Sequence, residues 1–188
     1  GSEISSSLVG HFNAFNLAEA FMICNELGHD KQRIASALSS VPGAPGRMES
    51  VNLDLETDLP KVIVDYAHTP DALENVLKTL SESRTQNQFI YCVFGAGGDR
   101  DSGKRPEMAK AALEFADEII VTSDNPRTEN PDLIIADILQ GFENTDNVVT
   151  ITSRKEAIFK AIELASSNDI ILIAGKGHED YQEIDGKR

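Results

Sequence analysis

The sequence predicts an α/β protein with a Rossmann-like, mostly parallel sheet, helices on both faces, and a short helical segment in front. Two observations support this fold class. Between residues 61 and 174, short apolar runs alternate with longer segments that are apolar on one helical face. Nearly every run ends in a polar loop rich in Gly, Asp or Pro. Strands that alternate with helices form crossover units, which place neighbouring strands parallel.

The beginning of the chain is helical. Apolar residues such as Leu17 and Leu27 recur at helical spacing over 16–28, and a second short helix is predicted over 30–39. The stretch 41–47 contains two prolines and two glycines, which cannot continue a helix. We therefore divide the chain into residues 1–48 and 49–188, and expect the first part to be the end of a larger preceding domain.

The remaining elements follow in order. Alternating apolar residues predict a half-exposed strand over 50–56. Thr69 and Pro70 are typical of a helix N-cap and first turn, so a helix begins there. The other predicted strands cover 61–65, 88–94, 118–122, 147–151 and 169–174, and the other helices cover 105–115, 131–140 and 154–165.

Composition narrows the classes of function. The net charge of −14 argues against nonspecific binding to nucleic acid or to an anionic membrane, both of which need a basic surface. No apolar run approaches the ~20 residues that span a bilayer. The two cysteines, Cys24 and Cys92, lie in apolar segments without metal-ligand spacing. We expect free thiols, a cytoplasmic location, no metal held by this chain, and no nucleic-acid or membrane partner.

Four polar loops directly follow predicted strands and carry most of the candidate functional residues. They cover 65–71, 95–100, 124–127 and 175–179. In an open parallel sheet, the loops at the carboxyl ends of the strands line the ligand crevice. The sequence therefore predicts that these four loops converge on one site.

The loop that follows the strand predicted over 88–94 resembles two nucleotide-binding motifs but matches neither of them. A P-loop needs Ser or Thr where this chain has Arg105, and a dinucleotide fingerprint needs Gly where it has Arg100. What remains is that small residues permit a sharp turn and a close approach to a ligand. A turn without a ligand is the alternative interpretation.

The charged residues of the loops suggest an amino-acid ligand. Arg100 and Arg127 each follow a strand, and a guanidinium binds a carboxylate through two parallel hydrogen bonds. Asn125 can donate and accept, and Pro126 stiffens its loop. Glu179 can hold a substrate ammonium or cap the following turn.

The histidines and nucleophiles are less informative. His68 can contact a nucleotide or a phosphate, or simply precede the helix that begins at Pro70. No nucleophile has an adjacent base, so covalent catalysis by this chain is not expected.

Six blocks of the sequence together resemble the Mur ligases, and within them the branch that adds meso-2,6-diaminopimelate. The resemblance covers almost the whole chain, and the blocks follow the family's order. The blocks are 10–16, 45–49, 65–71, 94–106, 124–127 and 174–180.

The resemblance implies a three-domain, ATP-dependent enzyme that forms an amide bond between diaminopimelate and the D-glutamate of UDP-MurNAc-L-Ala-D-Glu. This chain would be the last helices of the central domain and most of the C-terminal domain. The family's P-loop and its modified, magnesium-binding lysine have no counterpart here. ATP and Mg²⁺ are therefore expected in the full-length enzyme and not on this chain, which is expected to be inactive without its missing domains.

The resemblance also implies residue roles. Asp124, Asn125, Pro126 and Arg127 match the diaminopimelate recognition motif, and Arg100, Gly175 and Glu179 match other contacts to the amino acid. On the nucleotide side, Asn13 and Asn16 match an asparagine block with Asn16 at the adenine, Arg47 lies near the ATP phosphates, Asp65 contacts ribose, and His68 shares that loop.

Two alternatives stay open. One is a ligase of the same family that adds L-lysine, which lacks the distal carboxylate that Arg127 would bind. The other is a non-catalytic binding module of Rossmann type.

Overall fold

The computed structural model describes residues 3–6, 8, 10–51 and 58–188, and the chain divides into two compact units, residues 1–44 and 45–188. In the first unit, α1 (His11–Glu26) packs against α2 (Lys31–Ser40). Asp30 caps α2 by accepting hydrogen bonds from the backbone N–H groups of Gln32 and Arg33. The helix predicted over 16–28 begins earlier and ends at Glu26, with Leu27 as its C-cap.

The second unit contains one six-stranded sheet and four helices within the described part of the chain. The strands are β1 (Glu49–Val51), β2 (Lys61–Asp65), β3 (Ile90–Phe94), β4 (Glu118–Val121), β5 (Val148–Thr150) and β6 (Ile170–Ala174). The helices are α3 (Pro70–Ser83), α4 (Lys104–Phe115), α5 (Pro131–Leu139) and α6 (Arg154–Leu164).

The strand order β1-β2-β6-β3-β4-β5 places β6 between β2 and β3. All neighbouring pairs are parallel except β1 with β2. The steps from β2 to β5 run across the sheet in one direction, whereas the step to β6 runs back. Because parallel crossovers are right-handed, α3, α4 and α5 cover one face and α6 covers the other. This arrangement confirms the predicted fold class.

The core follows the alternation of side chains along the strands. Tyr91, Val93, Ile120 and Ile171 point to the face that α6 covers and pack against Ala157 and similar small residues of that helix. The small alanines of α6 let it lie close to the sheet. The intervening strand residues, such as Cys92 and Leu172, are fully buried and point to the opposite face.

Most predicted elements agree with the structure to within one or two residues at each end. Thr69 is the N-cap of α3 and Pro70 its first residue, as predicted. The strand predicted over 50–56 differs, because all three residues of β1 are exposed rather than alternating, and 52–56 lie outside the described residues. No helix in the described ranges has both the length and the apolar character needed to cross a bilayer.

Candidate functional site

A pocket of about 320 Å³ lies at the carboxyl ends of the strands in the second unit. Loops after β2, β3, β4 and β6 all contribute to its lining, together with the first turn of α4. The convergence predicted from the sequence is confirmed for these four loops. Of the candidate residues, the pocket brings together His68, Arg100, Asp124, Asn125, Arg127, Gly175 and Glu179, with Tyr66, Lys104 and Arg105 among the others that line it.

Glycines in the loop after β3 let it lie directly against the loop after β4. A Cβ at Gly95 would lie 2.2 Å from the Thr122 carbonyl oxygen, and one at Gly98 would lie 1.9 Å from the Pro126 carbonyl oxygen. At Gly95 and Gly98, the close approach is therefore between the two loops and not between a loop and a ligand. Gly97 is different, because it lines the pocket itself.

Arg127 ties these two loops together from the pocket side. Its Nη1 donates to the Gly98 carbonyl oxygen at 2.7 Å, and its Nε lies 3.9 Å from the Glu183 carboxylate. The backbone of Arg127 has a φ of +53°, in the left-handed region. The side chain is 22% exposed, so the guanidinium is anchored and still reaches the pocket.

Arg100 lies in the same pocket without such an anchor. The residue is exposed, and within the described part of the chain its guanidinium has neither an ion pair nor a hydrogen bond. Lys104, also exposed, lines the pocket beside it. The pocket therefore presents two cationic side chains that form no ion pair with another described residue.

Two residues of the pocket lining, Asn125 and Glu179, form a hydrogen-bonded triangle with Lys176. The Lys176 ammonium donates to Asn125 Oδ1 at 2.9 Å and to Glu179 Oε2 at 3.1 Å. Asn125 Nδ2 donates to the same Glu179 oxygen at 3.2 Å. Lys176 is only 7% exposed, so the triangle closes around a buried cation.

The surroundings of Glu179 decide its charge. Burial acts to raise the pKa of its carboxyl, but hydrogen bonds from Lys176 and Asn125 outweigh burial and leave the pKa below its usual value. The Tyr66 hydroxyl adds a longer bond of 3.4 Å to the other oxygen. Glu179 is therefore an anion at neutral pH, and its carboxylate is bound by side chains rather than capping a turn.

Asp124 and Gly175 meet in the pocket lining. Asp124 Oδ1 accepts from the Asn125 backbone N–H at 2.7 Å, while Oδ2 is buried without a hydrogen bond among the described residues. A Cβ at Gly175 would lie 2.7 Å from Oδ2, and Gly175 has a φ of +113°. Only glycine fits this position without displacing the carboxylate or straining the backbone. Pro126 is buried next to these residues and does not itself line the pocket.

An aromatic pair, Tyr66 and His68, lines the pocket on the β2 side. The Arg47 guanidinium lies 5.0 Å from the centre of the Tyr66 ring, and the His68 ring meets the same ring edge-on at 4.8 Å. His68 Nδ1 is 2.8 Å from the Tyr66 carbonyl oxygen. His68 is exposed, so it can still reach a ligand.

Three other residues are predicted to contact the nucleotide, and each has hydrogen-bond partners within the protein. Asp65 is buried, and its two carboxylate oxygens accept from the backbone N–H groups of Met48 and Ala67 at 2.7 and 2.8 Å. Asn13 and Asn16 belong to the first unit, where Asn16 Nδ2 donates to Asn13 Oδ1 at 3.4 Å. The ribose and adenine roles of these residues stay predictions.

Arg105 stands at the position where a P-loop has Ser or Thr. Its side chain forms ion pairs within the protein instead. Its guanidinium is 3% exposed and binds the carboxylates of Glu129 and Asp137, each at 2.8 Å. It also donates to the Gly97 carbonyl oxygen at 3.3 Å. The hydrogen bond from Arg105 lowers the pKa of Glu129. Arg105 thus joins α4 and α5 to the loop after β3.

Sequence reasoning missed three residues of this site. Lys176 stands between two glycines, and no local pattern indicates that it reaches back to Asn125, 51 positions earlier. Tyr66 stands two residues before His68 in the loop after a strand, and aromatic side chains commonly line binding pockets. Lys104 precedes Arg105 in the sequence, and its place at the first residue of α4 could have indicated it, because helix N-termini commonly bind anions.

Comparison with known proteins agrees with this architecture. Residues 46–177 match the family described as Mur ligase, glutamate ligase domain. The chain is 50% identical over 184 residues to the UDP-N-acetylmuramoyl-L-alanyl-D-glutamate--2,6-diaminopimelate ligase of Aquifex aeolicus, covering 98% of this chain and 37% of that protein. The enzyme of the same name from Thermosynechococcus vestitus is 48% identical, with 95% and 35% covered.

A solved structure of a ligase with this name is 47% identical and superposes with a TM-score of 0.71, covering 97% of this chain and 37% of that chain. The chain therefore spans little more than a third of the length of these relatives. The family match covers most of the second unit, including every strand that contributes a loop to the pocket. The chain belongs to the Mur ligase family, in its glutamate ligase domain.

Proposed function

We propose that this chain is the amino-acid-binding part of an ATP-dependent ligase that adds meso-2,6-diaminopimelate to UDP-MurNAc-L-Ala-D-Glu in peptidoglycan precursor synthesis. One observation carries the proposal. The guanidinium groups of Arg100 and Arg127 and the carboxylate of Glu179 come from three different loops and line one pocket. Two similar relatives, from Aquifex aeolicus and Thermosynechococcus vestitus, are named as 2,6-diaminopimelate ligases, which supports the choice of diaminopimelate.

The charges of the pocket suit a molecule with an ammonium and a carboxylate at each end. Arg100 and Arg127 can each bind a carboxylate, and Arg127 is pre-oriented by its bond to Gly98. Glu179, held as an anion, can accept from a substrate ammonium. In the chemistry of amide formation, such contacts fix the attacking amine in position, which lowers the entropy cost of the reaction.

The other residues of the recognition motif have supporting roles in this proposal. Asp124 shapes the floor through Asn125 and the close contact with Gly175. Pro126 sets the backbone against Gly98, which brings the two arginine-bearing loops together.

ATP and Mg²⁺ are assigned to the full-length ligase, with this chain contributing contacts at the edge of the nucleotide site. Arg47 and His68 fit such contacts, because both contact the ring of the pocket residue Tyr66 and a guanidinium can bind phosphate oxygens. Asn16 is exposed and offers an amide that can pair with a base edge. Asp65 fits less well, since each oxygen already accepts a backbone hydrogen bond.

We assign residues 1–48 to the end of a central ATP-binding domain and residues 49–188 to the C-terminal domain. The helix α1 supports this assignment, because Phe15, Met22 and Ile23 are each more than half exposed on it. Large exposed apolar side chains on one helix are typical of a surface that packs against another part of a protein. The two free cysteines fit a reducing compartment, and we place the ligase in the cytoplasm.

Calorimetry of this chain with meso-diaminopimelate, L-lysine and pimelate tests the ligand. Pimelate keeps both carboxylates and lacks the amines, so it reports the arginine contacts alone. We expect the strongest binding for diaminopimelate. Stronger binding of lysine would favour the lysine-adding alternative.

Phosphate release tests the reaction. The full-length protein is expected to release phosphate from ATP only when the UDP-linked dipeptide and diaminopimelate are both present, while this chain alone releases none. Diaminopimelate binding without turnover by the full-length protein would favour a non-catalytic binding module.

A further inference from the structure

Asn125 is a buried residue of the pocket wall, and a bond from Lys176 fixes the orientation of its side-chain amide. Asn125 Oδ1 is 2.9 Å from the Lys176 ammonium and 2.8 Å from the backbone N–H of Glu183. Both of these groups can only donate. The atom bound to Lys176 and Glu183 is therefore the amide oxygen, and neither of these residues lines the pocket. The amide nitrogen lies on the side of Glu179, which does line the pocket.

The two N–H groups of Asn125 Nδ2 then have different tasks. One donates to Glu179 Oε2 at 3.2 Å. Among the described residues no second acceptor lies on Nδ2, and Asn125 itself lines the pocket. The second N–H is thus available to a ligand oxygen, which in an amino acid is a carboxylate oxygen.

Lys176 holds this arrangement without facing the same pocket. It lines a separate groove, on the side of the loop where Tyr181 lies, and its ammonium sits 5.3 Å from the Tyr181 ring centre. The ammonium binds Glu179 as well as Asn125, so it fixes two ligand-facing groups at once.

Resting on the function proposed above, we infer that Lys176 is a positioning residue of the amino-acid site. It fixes the Asn125 amide as a hydrogen-bond donor to a substrate carboxylate, and it fixes the carboxylate of Glu179 towards a substrate ammonium.

The chain offers a matched control for this inference. Lys160 and Glu163 form an ion pair with the same three-residue spacing and nearly the same length, 3.0 Å against 3.1 Å. The control pair is on the surface, with the two side chains 37% and 70% exposed. Lys160→Met and Lys176→Met thus make the same chemical change in an exposed and a buried pair.

The first experiment measures steady-state kinetics of the full-length protein with each substrate varied in turn. Lys176→Met is expected to raise the KM for the amino acid about tenfold, the loss typical of one charge-assisted hydrogen bond, and to leave the KM for ATP unchanged. Lys160→Met is expected to change neither. Equal effects of the two variants, or an equal rise in every KM, would overturn the inference.

A double variant tests whether Lys176 acts through its partner. In the Asn125→Ala background, Lys176→Met is expected to have a smaller effect than in the unmodified protein. If the KM fold-changes of the two single variants simply multiply in the double variant, the residues act independently, and the inference is overturned.

Asn125→Asp tests the amide orientation even if Lys176→Met does not fold. The new carboxylate can still accept from Lys176 and Glu183, but its second oxygen replaces both N–H groups of Nδ2, the one available to the ligand and the one that donates to Glu179. We expect a rise in the amino-acid KM at least as large as for Asn125→Ala. Unchanged or tighter binding would mean that the amide oxygen faces the ligand, against the inference.

A substrate-free measurement separates this inference from the proposed function. In ¹⁵N NMR spectra of the chain itself, the Asn125 side-chain amide pair can be identified by its loss in Asn125→Ala. Lys176→Met is expected to shift that pair and Lys160→Met to leave it in place; an unmoved pair in Lys176→Met overturns the inference. Absence of amino-acid-dependent phosphate release by the unmodified full-length protein would instead overturn the proposed function.

Discussion

The Arg127 guanidinium donates a 2.7 Å hydrogen bond to the carbonyl oxygen of Gly98, and so connects the loops after β3 and β4 across the pocket wall. The backbones meet at the same place, since the Gly98 N–H donates to the Asn125 carbonyl oxygen at 2.9 Å. A side chain that is expected to select a ligand is therefore also part of the wall. The geometry of each loop depends on the other.

The first prediction concerns the close approach of Gly98 to the backbone of Pro126. Gly98→Ala places a Cβ 1.9 Å from the Pro126 carbonyl oxygen, and backbone on both sides must move. We expect the free energy of unfolding to fall by about 2 kcal/mol, as for other overpacked sites. Gly103→Ala is the control in the same loop, because its nearest neighbour is a flexible Asp101 oxygen at 3.2 Å. Urea unfolding measures both, and equal stabilities would show that the two loops separate freely.

The second prediction concerns selectivity. Arg127→Met removes the guanidinium that would bind the distal carboxylate of diaminopimelate, a group that lysine lacks. Because the Arg127 side chain is 22% exposed, we expect a loss of about 2 kcal/mol, or roughly 30-fold, in the preference for diaminopimelate. Competition between the two amino acids in the full-length enzyme measures it. A preference that survives the substitution would remove Arg127 from this role.

The framework of the site could be predicted because it depends on local patterns in the sequence. Periodicity located the strands from β2 onward, and parallel strands necessarily bring their carboxyl-end loops to one edge. The loop containing Arg127 and the loop containing Glu179 could therefore be placed together from the strand pattern alone.

The partners of the charged residues could not be predicted in this way. Arg105 binds carboxylates 24 and 32 positions away, and nothing in its local sequence distinguishes Glu129 from other acidic residues nearby. Lys176 is similar, because its burial results from packing between loops rather than from the glycines beside it. The left-handed backbone of Arg127 is also a tertiary effect, since an isolated arginine avoids that region.

The third prediction concerns pH. Burial acts to raise the pKa of Glu179, but hydrogen bonds from Lys176 and Asn125 outweigh it, so the pKa lies below its ordinary value of 4.5. The ionised carboxylate thus contributes stability that is fully present above pH 4.5 and is lost as the pH falls through the lowered value. We expect the stability difference between the unmodified chain and Glu179→Gln to stay constant above about pH 5.5 and to shrink below about pH 4.5.

Chemical denaturation at a series of pH values, from roughly 3 to roughly 7, measures this difference. Glu163→Gln is the control, because Glu163 is 70% exposed and paired only across a helix turn. Its difference from the unmodified chain should be small at every pH. A Glu179→Gln difference that is flat across the acidic range would contradict the assigned hydrogen bonds.

The fourth prediction compares a buried guanidinium with an exposed one. Arg105 is 3% exposed and binds two carboxylates that are themselves about a third exposed, so water can partly replace the lost partner. Arg105→Met is expected to lower the free energy of unfolding by about 2 kcal/mol, less than for a fully buried pair. Arg84→Met breaks a 2.6 Å pair with Asp117 in which both side chains are about a third exposed, and should lower the free energy of unfolding by less than about 1 kcal/mol.

Urea unfolding of the two variants measures which substitution lowers the free energy of unfolding more. If Arg84→Met costs more, Arg105 does not hold α4 and α5 to the pocket loop, and the first turn of α4 must be positioned by its apolar contacts instead.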